Sequence, residues 1–192
     1  MNRSLARIAA RRRYARAARI RKLLFEKIES RQMLAGVWDG GGALDTWNDP
    51  LNWDNDLLPV AGTNVVIDNA FAGITITSTD AVTVTSINSA ATLAITSGTF
   101  PITSASTFNN AVNISGTAPF VLASLTVNGS GTITNAATLK LDRSTLGATL
   151  PVTNEGTLFV PGGNSAINGT LTTVAGSTLR LVGDNSNGTS TL

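Results

Sequence analysis

Ile133-Thr134-Asn135-Ala136-Ala137-Thr138-Leu139-Lys140-Leu141 is matched, position for position and nineteen residues later, by Val152-Thr153-Asn154-Glu155-Gly156-Thr157-Leu158-Phe159-Val160. A third copy, Leu171-Thr172-Thr173-Val174-Ala175-Gly176-Ser177-Thr178-Leu179-Arg180-Leu181, carries two extra residues. Recurrence at about twenty residues marks a solenoid, in which each repeat buries its apolar face only by stacking on its neighbours. The alignment predicts one inward column holding Leu139, Leu158 and Leu179.

Working outward from that phrase, residues 69–192 alternate apolar with Thr or Ser in many short runs. Ile74/Ile76, Val82/Val84, Leu93/Ile95, Val112/Ile114, Leu125/Val127, Leu139/Leu141, Leu158/Val160 and Leu179/Leu181 are the apolar pairs. Period two with β-branched enrichment is strand, one face inward and one wet. Ser97-Gly98, Asn128-Gly129, Gly162-Gly163 and Asn168-Gly169 punctuate the runs as turns. Asn88, Asn109, Asn110, Asn135 and Asn154 fall near corners, where stacked side chains can form amide ladders between coils. The expected fold is all-β: a single-stranded parallel β-helix of about six coils, each adding ~4.8 Å. A sandwich of short antiparallel strands is the competing fold, since it also turns every few residues. The register-preserving repeat and the very short spacers favour the solenoid.

The 192-residue chain contains neither cysteine nor histidine. Disulfides, thiolate or imidazole metal sites, and Cys-His or Ser-His nucleophilic catalysis are therefore excluded. No run of eighteen apolar residues encodes a transmembrane helix. The net charge of +2 conceals two unlike segments. Residues 1–36 hold eleven Arg and Lys against Glu26 and Glu29, a net of +9. Residues 37–192 hold only Lys140, Arg143 and Arg180 against ten carboxylates, a net of −7. A nucleic-acid partner would rest on the leader alone, and the acidic body disfavours one.

Residues 37–68 concentrate all three tryptophans, Trp38, Trp47 and Trp53, among Asp39, Asp45, Asp49, Asp54 and Asp56. Gly40-Gly41-Gly42, Pro50 and Pro59 exclude regular helix or a central strand here, and Val65-Val66-Ile67-Asp68 reads as the first buried strand. Two readings compete. In one, the rings are a platform for sugars and the carboxylates a calcium loop, because hard cations take oxygen ligands. In the other, the segment is an N-terminal cap over a first coil that would otherwise present an open core. EF-hand spacing is missing, and aspartates also serve Asx-turns.

Residues 1–36 are rich in Ala, Arg and Leu, with Ile20, Leu23, Leu24 and Ile28 at helical spacing beside an arginine-rich face. They read as a basic leader, helical or disordered. The apolar run is too short for an ordinary secretory signal; an arginine-rich targeting or membrane-surface segment, an organellar transit peptide and a nucleic-acid arm are the alternatives.

Phe25-Glu26-Lys27-Ile28-Glu29-Ser30-Arg31-Gln32-Met33-Leu34-Ala35 resembles the LEPR-XLL motif of large bacterial surface and secreted proteins, with Ile28 for Leu, Ser30 for Pro and Met33 for Leu. In that family an arginine-rich stretch precedes the motif and a repetitive β-rich body follows it. The resemblance implies a sorting role for Phe25, Glu26, Glu29, Arg31, Met33, Leu34 and Ala35, and export to the envelope or beyond. Trp38-Asp39-Gly40-Gly41-Gly42 through Trp47, the Asn52-Trp53 pair, Pro59 and Val65-Val66-Ile67 are also similar to the opening of autotransporter-like repeat regions, whose strand phrases Gly156-Thr157-Leu158-Phe159-Val160 resembles.

Catalysis on a solenoid requires two or three ionisable groups converging from adjacent coils. After Asp68 the body holds only Asp80, Lys140, Asp142, Arg143, Glu155, Arg180 and Asp184. Lys140 aligns with Phe159 and Arg180, so that column is not an acidic one; a surface ion pair with Asp142 is expected, and no catalytic residue, metal or cofactor. The functional expectation is a non-enzymatic structural or adhesive module, extracellular or at the cell surface. Its partners would be envelope or extracellular polysaccharide, other surface proteins, or further copies joined end to end, within a longer parent protein. The alternative is a polysaccharide-binding or polysaccharide-cleaving β-helix, calcium-dependent, using Asp39 to Asp56 and the tryptophans.

Overall fold

The computed structural model describes residues 35–117 and 119–182, all within one compact unit that begins at Leu34. Short strands recur in threes. A leading strand β1 (Ala35–Val37) is followed by β2 (Asn64–Ile67) and β3 (Thr75–Ser78). The next coil contains β4 (Ser86–Ser89), β5 (Thr92–Ile95) and β6 (Phe100–Ile102). After it come β7 (Ser106–Phe108), β8 (Val112–Ile114) and β9 (Pro119–Ala123), then β10 (Thr126–Asn128), β11 (Ile133–Asn135) and β12 (Thr138–Asp142). The last two coils are β13 (Thr145–Leu146), β14 (Val152–Asn154) and β15 (Thr157–Val160), and β16 (Ala166–Ile167), β17 (Leu171–Thr173) and β18 (Thr178–Leu181).

Every third strand pairs with its equivalent in the next coil, always in parallel. The first sheet runs β1-β2-β4-β7-β10-β13-β16, the second β3-β5-β8-β11-β14-β17, and the third β6-β9-β12-β15-β18. The chain is thus a parallel β-solenoid of about six coils, with a tryptophan cluster at its start. A sandwich is excluded, because all named strand pairs are parallel and join elements one coil apart. The first strand is β1, ahead of the Val65-Val66-Ile67 strand; Ala35 to Val37 align with Asn64 to Val66. Val37 has a β-branched side chain and follows a glycine, so nothing local forces helix there.

Register stacks equivalent residues of successive coils. Leu139 pairs with Leu158 and Leu158 with Leu179, so the repeated leucines do stand over one another. Leu139 and Leu158 are completely buried, while Leu179, on the last described strand of the third sheet, is 40% exposed; among the described residues no further strand covers it. The two extra residues of the third copy fall between the paired positions Asn154↔Thr173 and Thr157↔Thr178, in the corner, where an insertion leaves both strands in register. The column continues below Leu139 through Phe120 and Phe100.

Corners decide whether coils can lie one strand spacing apart. Gly129, at a φ of 134°, takes a conformation that side chains resist, and a Cβ there would strike the Phe108 carbonyl of the preceding coil. Gly131 and Gly156 meet the backbone of Asn110 and Ala137 in the same way. Buried serines close another corner. Ser144 Oγ donates to the carbonyl of Leu122 at 3.0 Å and Ser165 Oγ to that of Leu141 at 3.2 Å, while Ser165 Oγ accepts the Ser144 amide at 3.2 Å.

The amide ladder is shorter than the spacing of asparagines predicts. Asn135 Nδ2 donates to Asn154 Oδ1 at 2.8 Å, both fully buried. Asn135 Nδ2 also donates to the Thr157 carbonyl and its Oδ1 accepts the Ala137 amide, while Asn154 Nδ2 donates to the Thr178 and Gly156 carbonyls. Asn88 and Asn109 are exposed, and Asn110 bonds the Ala72 carbonyl instead. Below Asn135 the ladder stops, because the paired residue is Ile114.

Replacing Leu158 by Ala should lower the unfolding free energy by about 2–5 kcal/mol, the range for a buried leucine that leaves a cavity. Leu179→Ala, at the exposed rung, should cost less than half as much. Urea unfolding of the full chain followed by circular dichroism checks both.

Candidate functional site

The tryptophan segment closes the first coil. Thr46 pairs in parallel with Thr77, Trp38 bridges Trp53, and β1 lies beside β2, so residues 35–56 form an incomplete leading coil. Its interior is aromatic. Trp38 and Trp53 meet edge to face at 5.1 Å, Trp53 and Trp47 at 4.7 Å, and Trp47 and Phe100 at 5.0 Å. Phe100 then meets Phe120 at 5.7 Å, joining the cap to the leucine column above. Such pairs contribute about 0.5–1.5 kcal/mol each beyond the area they bury.

The rings therefore cannot serve as a sugar platform: Trp38, Trp47 and Trp53 are at most 2% exposed. Trp53 Nε1 donates to the Trp47 carbonyl at 2.8 Å, whereas Trp38 Nε1 is buried without a hydrogen-bond acceptor. The carboxylates do not converge either. Asp39 Oδ1 accepts the Gly41 amide, Asp49 Oδ1 the Leu51 amide at the start of a 3-10 turn, and Asp54 Oδ1 the Val37 amide at 2.9 Å. The Asp45 carbonyl accepts the Thr77 amide, and Asp56 sits at a positive φ of 53° in the turn that follows Trp53. Among the described residues no three His, Cys, Asp or Glu side chains gather as a metal site. Of the two readings of this segment, the buried rings fit the cap: Asp39 and Asp49 close local turns, and Asp54 ties the segment to β1.

One residue organises that cap. Asn52 is buried; its Nδ2 donates to the Leu44 and Thr46 carbonyls at 2.8 and 2.9 Å, and its Oδ1 accepts the Gly42 amide at 2.9 Å. Three bonds from one side chain fold the 42–46 loop over the tryptophans. The sequence drew attention to the neighbouring acids instead, since a buried amide looks no different from an exposed one in a string of letters.

A cavity of about 240 Å³ lies beside the cap, lined by Trp47, Asn48, Leu58, Pro59, Val60, Ala61, Ala81, Val82 and Thr83. No ionisable group faces it, so it carries no acid–base chemistry. Of the sorting-motif residues, Ala35 is the first residue of β1, and Phe25, Glu26, Glu29, Arg31, Met33 and Leu34 lie outside the described residues.

Two outer faces differ sharply in chemistry. The second sheet carries no outward charge over six coils. One column runs Thr77, Ala94, Asn113, Thr134, Thr153 and Thr172 in register. A parallel column two residues earlier holds Thr75, Thr92, Ala111, Thr132, Pro151 and Thr170, tied to the next coil by backbone bonds. Alternate residues on adjacent strands make a lattice of roughly 6.6 by 4.8 Å, dominated by threonine hydroxyls and methyls.

The third sheet instead carries Lys140 and Arg180, with Arg143, the remaining cation of residues 37–192, at the corner just after β12. Its outward column runs Pro101, Val121, Lys140, Phe159 and Arg180. The Arg180 guanidinium lies over the Phe159 ring, 4.6 Å from its centroid. Asp142 sits between Lys140 at 3.7 Å and Arg143 at 3.4 Å. Glu155, the remaining acid of these coils, is exposed at a corner and does not join them.

No family model, curated protein or solved structure matches this chain. Among the described residues, no helix is long and apolar enough to cross a membrane.

Trp53→Ala should destabilise the chain by about 3–5 kcal/mol, the cost of truncating a buried large aromatic. Asn52→Ala should cost about 1–3 kcal/mol, since it strips partners from buried backbone groups. If the cap reading holds, neither stability changes when millimolar calcium is added. Thermal unfolding with and without calcium tests this directly.

Proposed function

We propose that the chain is a non-enzymatic structural and adhesive β-solenoid module of a bacterial protein that works outside the cell or on its surface. The observation that carries this reading is the six-coil, charge-free threonine lattice of the second sheet. The backbone of the inner strands that carry it is paired on both sides, so little backbone entropy is lost when a surface docks. The motif at residues 25–35 and the arginine-rich leader favour export, and a chain without cysteine is indifferent to an oxidising exterior.

Catalysis finds no support in the arrangement of ionisable groups. Asp142 is engaged by two cations, Asp39, Asp49 and Asp54 each accept a backbone amide, and a reacting centre needs groups free to exchange protons over one point.

Beads carrying the full chain should be retained on surfaces coated with hydroxyl-rich polymer. A Thr134→Glu/Thr153→Glu/Thr172→Glu variant, changed only at outward positions, should lose that retention while keeping its circular dichroism spectrum. Equal retention of both would overturn the adhesive reading. For location, protease added to intact cells should degrade the solenoid; protection until the cells are lysed would sink the surface assignment.

A further inference from the structure

We infer that the outward column Lys140–Phe159–Arg180 on the third sheet is a binding strip for a carboxylate-bearing polysaccharide running along the solenoid axis. It deepens the adhesive reading by naming a partner class, at a face distinct from the threonine lattice.

Four features argue for it. First, Lys140, Phe159 and Arg180 occupy one outward position on three successive coils, in register, so two cations flank one aromatic ring. Lys140 and Arg180 are two coils apart, about 9.6 Å at the strand spacing. Second, strong charge is scarce elsewhere in the body and of the opposite sign: residues 37–192 carry a net of −7, yet their three cations all lie on this sheet or its corner. Asp142 is the one acid among them, bonding Lys140 and Arg143, so the strip keeps an excess of positive charge. Third, an arginine fork matches a carboxylate in a bidentate pair, and holding it against a ring reduces the freedom lost on binding. Fourth, Thr138, Thr157 and Thr178 form the adjacent outward column, in register with the strip, and offer hydroxyls on the same three coils. A ligand satisfying all four carries carboxylates at intervals, hydroxyls between them and apolar ring faces that pack on Phe159. Uronate polymers have that composition. A nucleic acid, with a charge on every phosphate, fits less well against a body whose net charge repels it.

The test uses the full chain and reads the strip separately from the basic leader. Lys140 is the one lysine of residues 37–192, while Lys22 and Lys27 lie in the leader. Acetylation followed by peptide mass spectrometry therefore reports each segment by itself. Polygalacturonate should slow acetylation of Lys140, neutral dextran should not, and added salt should weaken the effect. In Arg180→Gln the polygalacturonate concentration needed for half-protection of Lys140 should rise about tenfold, a loss of one charge-assisted contact. Phe159→Leu, which keeps an apolar side chain at the same position, should raise it by a smaller factor. Protection of Lys22 and Lys27 without Lys140 would overturn the inference, as would protection unchanged in Arg180→Gln. Stronger protection of Lys140 by a single-stranded oligonucleotide would assign the strip to nucleic acid and overturn it too. Any of these failures leaves retention on neutral polymers untouched, because that depends on the second sheet.

Discussion

In-register stacking of parallel strands is the constraint on which everything else depends. A strand of three or four residues buries almost nothing by itself, and its backbone groups are unpaired on both sides. Stacked one coil up, Ile133 lies on Val112 and Val152 on Ile133, and both problems are solved together. The inward position is then common to every coil, and so is the outward one. That is why a substitution pattern along the chain becomes a pattern along an axis: the cations at 140 and 180, with the ring at 159 between them, are neighbours although forty residues separate the ends.

A stack of this kind has to begin somewhere, and its first coil would expose the core. Here the opening is filled by three tryptophans in mutual edge-to-face contact, continued by Phe100 and Phe120 into the aliphatic column. Aromatic bulk decreases away from the cap: indoles, then phenyl rings, then Leu139 and Leu158. The polar residues around the tryptophans terminate the tight turns needed to fold a loop across the opening. Leu44, Leu51, Leu57 and Val60 remain exposed on the outer side of that loop, since the inner side is already occupied by the rings.

Much of the fold was legible because the repeat and the alternation are local patterns with a direct physical meaning. Matching Leu139 to Leu158 and Leu179 predicted the inward column that the third sheet carries, and the corner position of the two-residue insertion preserved it. Less of the candidate site was legible. Tryptophans beside aspartates at the start of a stack favour a cap, but a ligand platform uses the same residue types; burial separates them, and burial depends on coils far away in sequence. The asparagine ladder held for one pair only: Asn135 and Asn154 share a register in the second sheet, whereas Asn88 lies on an outward position of the first sheet, paired with Thr107, and Asn109 lies past the end of β7. Ser144 and Ser165 went unread because a serine that bonds the coil below looks like any serine of a threonine- and serine-rich repeat.

What the amino-acid string determined unaided was the kind of object: parallel coils of about twenty residues, an aromatic start, a chain without thiol or imidazole groups. Those follow from composition and period, which act on each short segment wherever it lies. Only the tertiary structure decided which positions share a face. It turned Trp38, Trp47 and Trp53 inward, laid an uncharged threonine lattice along one sheet, and set Lys140, Phe159 and Arg180 side by side on another. The reason is that corner lengths, through glycines and buried serines fitted against the preceding coil, set the register, and the register is a property of the whole stack.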